Sequence, residues 1–113
     1  MGLDNFFYEP EKPGVVEGDF KICGGMLSGH GTSSFRGKVY EEMVSLLTGY
    51  SLYAERVDAD ELIEIANDLE ASGYENAKAA QDERYGLEEK EFNDLIRMFR
   101  LHGEAGHHMV SWY

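Results

Sequence analysis

The chain has 113 residues, enough to enclose one hydrophobic core and too few for two independent ones, and its hydrophobic share of 42% is well above that of a disordered chain. A single globular domain over residues 1–113, of α+β class, is therefore expected. With 22 acidic residues against 10 Lys and Arg the net charge is −12, which disfavours direct binding to nucleic acid, while a lone cysteine, Cys23, excludes a disulfide within the chain.

Residues 1–19 mix the aromatics Phe6, Phe7 and Tyr8 with the turn formers Pro10, Pro13, Gly14 and Gly18, predicting a short strand followed by an ordered loop. Phe20 to Cys23 reads as a second short strand. Gly24 to Gly37 is too rich in glycine and hydroxyls for a regular element, so a Gly-rich loop precedes the first helix. That helix starts between Ser34 and Lys38, with Ser33 or Ser34 as its cap, and runs to Thr48. Val39, Met43, Val44 and Leu47 form its apolar stripe, and Gly49 ends it.

Tyr50 to Val57 is a connector, with Leu52 and Tyr53 as core anchors. Asp58 and Glu61 have the spacing of a capping box, and Leu62, Ile65, Ala66 and Leu69 continue a helical stripe up to Gly73. Residues 74–86 are polar and weakly patterned, with alanines that permit a helical turn before Gly86. A third helix spans about Glu88 to His102 on the stripe of Phe92, Leu95, Ile96 and Phe99, capped by Gly103, with Arg97 and Arg100 near its end complementing the dipole. His107 to Tyr113 alternates and ends in aromatics, as a final strand would. The expected architecture is a small sheet of short strands packed with about three helices.

The charge pattern singles out one interval. Between Asp19 and Glu41 there is no acidic residue, whereas Lys21, Arg36 and Lys38 all fall there. The same interval holds Gly24, Gly25, Gly29, Gly31 and Gly37 together with Ser28, Thr32, Ser33 and Ser34, and it leads into a helix start. Glycines let backbone N–H groups approach a ligand, hydroxyls add donors, and a helix N-terminus carries partial positive charge, which together suit a phosphate or carboxylate. It is not a Walker loop, because five residues separate Gly31 from Gly37 and Val39 follows Lys38 where Ser or Thr would be needed.

The sequence therefore points first to a non-enzymatic protein that binds or sequesters a small anionic ligand, such as a nucleotide or cyclic nucleotide signal. The ligand-binding residues on this reading are Ser28, His30, Thr32, Ser33, Ser34, Arg36 and Lys38, with Trp112 supplying an aromatic face; Trp112 and Tyr113 otherwise close the core. The alternative is an acidic inhibitor that docks on a basic host protein, or mimics nucleic acid, through Asp60, Glu61, Glu64, Asp68, Glu70, Glu88, Glu89, Glu91 and Asp94. A weaker alternative is a small hydrolase using Cys23 or His30, set against Cys23 as a buried strand residue. The spacing of His30, His102, His107 and His108 matches no metal motif, and no metal or other cofactor is expected.

The opening Met-Gly-Leu-Asp-Asn-Phe, the run Gly-Gly-Met-Leu-Ser-Gly-His-Gly-Thr-Ser-Ser-Phe-Arg-Gly-Lys-Val-Tyr, the connector Thr-Gly-Tyr-Ser-Leu-Tyr and the aromatic end resemble a set of small proteins of bacteriophages and prokaryotic genomes that carry no assigned activity. Such a resemblance implies interference with a host system, by sequestering a signalling nucleotide or by occupying a host protein, as in phage counter-defence. It assigns no residue a role. No signal peptide or bilayer-spanning run is recognisable, so a cytoplasmic location is expected, in the host cytoplasm if a phage encodes the chain, with no membrane partner. Homo-oligomerisation through exposed strands is compatible with the pattern.

Overall fold

A computed structural model describes residues 3–10, 12–16, 20–23 and 34–112. Strand β1 (Asp4–Glu9) alternates as a half-buried strand should: Asn5 and Phe7 are buried, whereas Asp4, Phe6 and Tyr8 are only partly covered. It pairs antiparallel with β5 (His108–Trp112) in the register Asp4↔Trp112, Phe6↔Val110 and Tyr8↔His108. On its other edge β1 meets β2 (Lys12–Pro13) near Tyr8 and β3 (Ser34–Phe35) near Asn5 and Phe6. The two-residue β4 (Arg56–Val57) adds to the far side of β5, giving the order β2-β1-β5-β4 with β3 also on β1.

The buried side chains of this sheet, Asn5, Phe7, Phe35, Val57 and Met109, share a core with α1 (Gly37–Thr48), α2 (Ala59–Ser72), α3 (Tyr74–Ala80) and α4 (Glu89–Glu104). Val39, Met43 and Val44 come from α1, Leu62, Ile65, Ala66 and Leu69 from α2, and Phe92, Leu95, Ile96 and Phe99 from α4. Each large apolar side chain removed from water in this way contributes about 1.5–3 kcal/mol. The result is the expected mixed α+β fold, a small open sheet of short strands against several helices. No helix among the described residues is long and apolar enough to cross a membrane.

Helix α2 begins as predicted: Asp58 and Glu61 close a capping box in which the Glu61 carboxylate accepts the Asp58 N–H at 3.0 Å. Several other expectations need correction. Phe20–Cys23 is not a strand; the Lys21 N–H donates to the Asp94 carboxylate at 2.9 Å, so this segment is tied to α4 rather than to the sheet. Ser34 does not cap α1, because it lies in β3, and Arg36 occupies the cap position without a side-chain bond. Leu52 anchors the connector as expected, but Tyr53 is exposed.

Gly103 is not a cap either. It lies inside α4, where an added Cβ would stand 2.6 Å from Ile63 Cγ1 and 2.8 Å from the Ala59 carbonyl oxygen, so its role is to let α4 approach α2. Arg97 and Arg100 do not stand in the last turn of α4, where His102 is the basic residue; Arg97 lies over the Phe20 ring, 4.5 Å from its centroid, and Arg100 bonds Asn67 and Glu70 across to α2. Trp112 does not close the core; its side of β5 faces outward and the residue is 68% exposed.

Candidate ligand-binding face

Because the helices take one side of the sheet, the other side presents Asp4, Phe6, Tyr8, His108, Val110 and Trp112, none of them buried. Strand register decides which residues meet there. Ser34 stands opposite Phe6, and Trp112 stands opposite Asp4 and contacts the Phe6 ring edge-on at 6.1 Å. One residue beyond β3, the Arg36 guanidinium reaches the Asp4 carboxylate at 3.7 Å, with both side chains partly solvated. Ser34, Arg36 and Trp112, far apart in sequence, thus converge around the first half of β1.

This corner offers distinct chemistries side by side. Trp112 presents an exposed aromatic face, and Arg36 a cation whose pairing with Asp4 is of the partly exposed kind worth about 0–1 kcal/mol, so a phosphate could displace it. Lys38 is exposed on the first turn of α1 and has no ion-pair partner among the described residues. The Ser34 Oγ atom is buried with no hydrogen-bond partner among the described residues, and the Asp4 Oδ1 atom has the Arg36 ion pair in place of one. A buried polar atom left unsatisfied costs about 1–3 kcal/mol. The helix start itself contributes less than expected, since the Lys38 N–H is spent on the Leu3 carbonyl and the Val39 N–H on that of Arg36.

Further along the same face the Tyr8 and His108 rings lie 6.0 Å apart and 29° from parallel. Burial and the neighbouring Arg56 hold the His108 imidazole below its ordinary pKa, favouring its neutral form at neutral pH. Arg56 stands opposite Val110, midway along β5 between His108 and Trp112, and its only described ion pair is an exposed one with Asp58 at 2.6 Å. Phe6, Tyr8, His108 and Arg56 were not assigned to a ligand site from the sequence. The available signal was the period-two alternation of residues 4–8, which sends Phe6 and Tyr8 to the side opposite Phe7.

Ser28, His30, Thr32 and Ser33 lie outside the described residues, as do Gly24 and Gly25. Cys23 is exposed rather than buried; its N–H donates to the Tyr40 hydroxyl and its carbonyl accepts from the Arg36 N–H. His102 and His107 are buried and joined Nδ1 to Nδ1 at 2.8 Å, and among the described residues no three His, Cys, Asp or Glu side chains converge as a metal would need.

The acidic helix faces are largely engaged within the chain. Glu61 closes its capping box, Glu64 accepts from Tyr50, Glu70 from Arg100, Glu88 from Lys21 and Glu91 from Tyr40. Asp94, expected on the solvated face, is buried, and the Lys21 N–H, Lys90 and Arg97 surround it. No family model matches the chain, and no curated protein or solved structure does.

Proposed function

We propose that the chain binds, without chemistry, a small anionic ligand carrying a planar ring, of the nucleotide or cyclic nucleotide class, at the Asp4–Trp112 corner of the sheet. The observation that carries this reading is the placement of the exposed Arg36 and the exposed Trp112 about Asp4, the first through its ion pair and the second through the β1–β5 register. The ring stacks on Trp112, and Arg36 and Lys38, both exposed, neutralise the phosphate. Sequestration of such a signal is a cytoplasmic task.

Trp112 is the sole tryptophan, so its fluorescence reports on the site directly. Addition of adenosine monophosphate is expected to quench it, and Arg36→Ala combined with Lys38→Ala to weaken binding by about tenfold or more, the loss of charge-assisted hydrogen bonds being worth about 1.5–3 kcal/mol. Equal affinity in that double variant would overturn the assignment.

A further inference from the structure

The outer face carries two aromatic stations rather than one. Phe6 with Trp112 forms the first, and Tyr8 with His108 the second. Phe6 and Tyr8 are two residues apart on one strand, hence roughly 7 Å apart at the usual rise. A sheet with two aromatic stations at such spacing accepts two successive unstacked bases, each with a ring to lie on.

Between the stations stands a cation. Arg56 is register-paired with Val110, and Val110 is separated by one residue from each of His108 and Trp112 and faces Phe6 across the strand pair. A phosphodiester joining two bases seated at the two stations would pass this position. Arg56 is exposed, and its partner Asp58 is held from the other side by the α2 capping box. Replacing that solvated pairing with a phosphate contact therefore needs no rearrangement of the fold. Arg36, at the Trp112 end, is placed for a second phosphate.

Resting on the binding reading above, we infer that the preferred ligand is a dinucleotide: two bases, one on Trp112 with Phe6 and one on Tyr8 with His108, joined by a phosphate at Arg56. Linear and cyclic dinucleotides share this chemistry. Long single strands do not suit a molecule of net charge −12, which repels each further phosphate.

The test is calorimetric titration of the protein with adenosine monophosphate, linear diadenylate, cyclic diadenylate and decaadenylate. One or both diadenylates are expected to bind about tenfold more tightly than the mononucleotide, a second stacked base being worth that factor or more. Arg56→Ala, a change at an exposed residue, is expected to bring that ratio close to one, and Tyr8→Ala likewise, with circular dichroism verifying that each variant is folded. Equal affinity for mononucleotide and dinucleotides would overturn the two-station inference and leave the single-ring reading standing. Binding of none of the four would overturn both, and an affinity that climbs again from diadenylate to decaadenylate would replace the dinucleotide by a nucleic acid strand.

Discussion

At the scale of single residues, two positions have stringent requirements. An added Cβ at Gly37 would stand 1.7 Å from Asn5 Oδ1, so Asn5 would have to move, and its buried Nδ2–H bond to the Leu52 carbonyl at 2.9 Å would go with it. Gly37→Ala is expected to destabilise by about 2–4 kcal/mol in urea unfolding, combining overpacking with a lost buried hydrogen bond. Because the conflict is with one side chain, Asn5→Ala with Gly37→Ala should cost less than the two single changes together; strict additivity would refute this cause. Asp94 makes the second case. Burial alone would raise its pKa, but the Lys21 N–H, Lys90 and Arg97 outweigh it and hold the carboxyl below its ordinary value. A depressed carboxylate contributes stability that is complete above the unfolded value of about 3.9 and is lost as pH falls through the folded one. Asp94→Asn should therefore lower stability at neutral pH by about 1–3 kcal/mol and flatten the acid limb below about pH 4; an unchanged acid limb would remove Asp94 from that role.

At the scale of elements, close packing of α2 on α4 depends on Gly103. Gly103→Ala should force the helices apart at Ile63 and Ala59 and lower the thermal midpoint, at a cost of about 1–3 kcal/mol, whereas a cap position would have tolerated alanine at a smaller penalty. The joint that follows α4 is secured by His102, which stacks on Phe7 at 3.7 Å and bonds His107 through Nδ1, one ring donating and the other accepting. The difference between what was legible and what was not follows from element length and partners. Helix α2 was legible because Asp58, Glu61 and four apolar residues repeat one signal; α3 was not, because its seven residues bury a single one, Ala77. Phe20–Cys23 has the apolar alternation of a strand, yet its backbone partner is a carboxylate from α4, which no local pattern announces. The first half of the candidate site was legible as an acid-free run leading to Arg36 and Lys38. Its second half was not: the outward side of Trp112 is set by pairing with Asp4, and Tyr8, His108 and Arg56 become neighbours only through the registers of β1, β5 and β4.

At the scale of the whole molecule, charge and size act together. The longest extent is 36 Å, comparable to the Debye length of about 30 Å in 10 mM salt and far above the roughly 3 Å of 1 M salt. At low salt every surplus carboxylate therefore senses most of the others. Two unit charges about 15 Å apart in water repel by about 0.3 kcal/mol, and a surplus of 12 charges makes dozens of such pairs, a repulsion that unfolding relieves by spreading the chain. Salt also weakens ion pairs, but Lys21–Glu88, Arg56–Asp58 and Arg84–Asp82 each include an exposed cation and are short-range, solvated contacts that contribute little. Repulsion is the larger sum and the longer-ranged one, so the thermal midpoint should rise between 10 mM and 1 M sodium chloride, measured by calorimetry with no ligand present. A falling midpoint would mean that the local pairs outweigh the surplus. The same screening would lower the barrier that the overall negative field sets against an approaching phosphate, while the stacking proposed at Trp112, being short-ranged and uncharged, would persist, so affinity for the proposed ligand should fall less with salt than Arg36 and Lys38 alone would dictate.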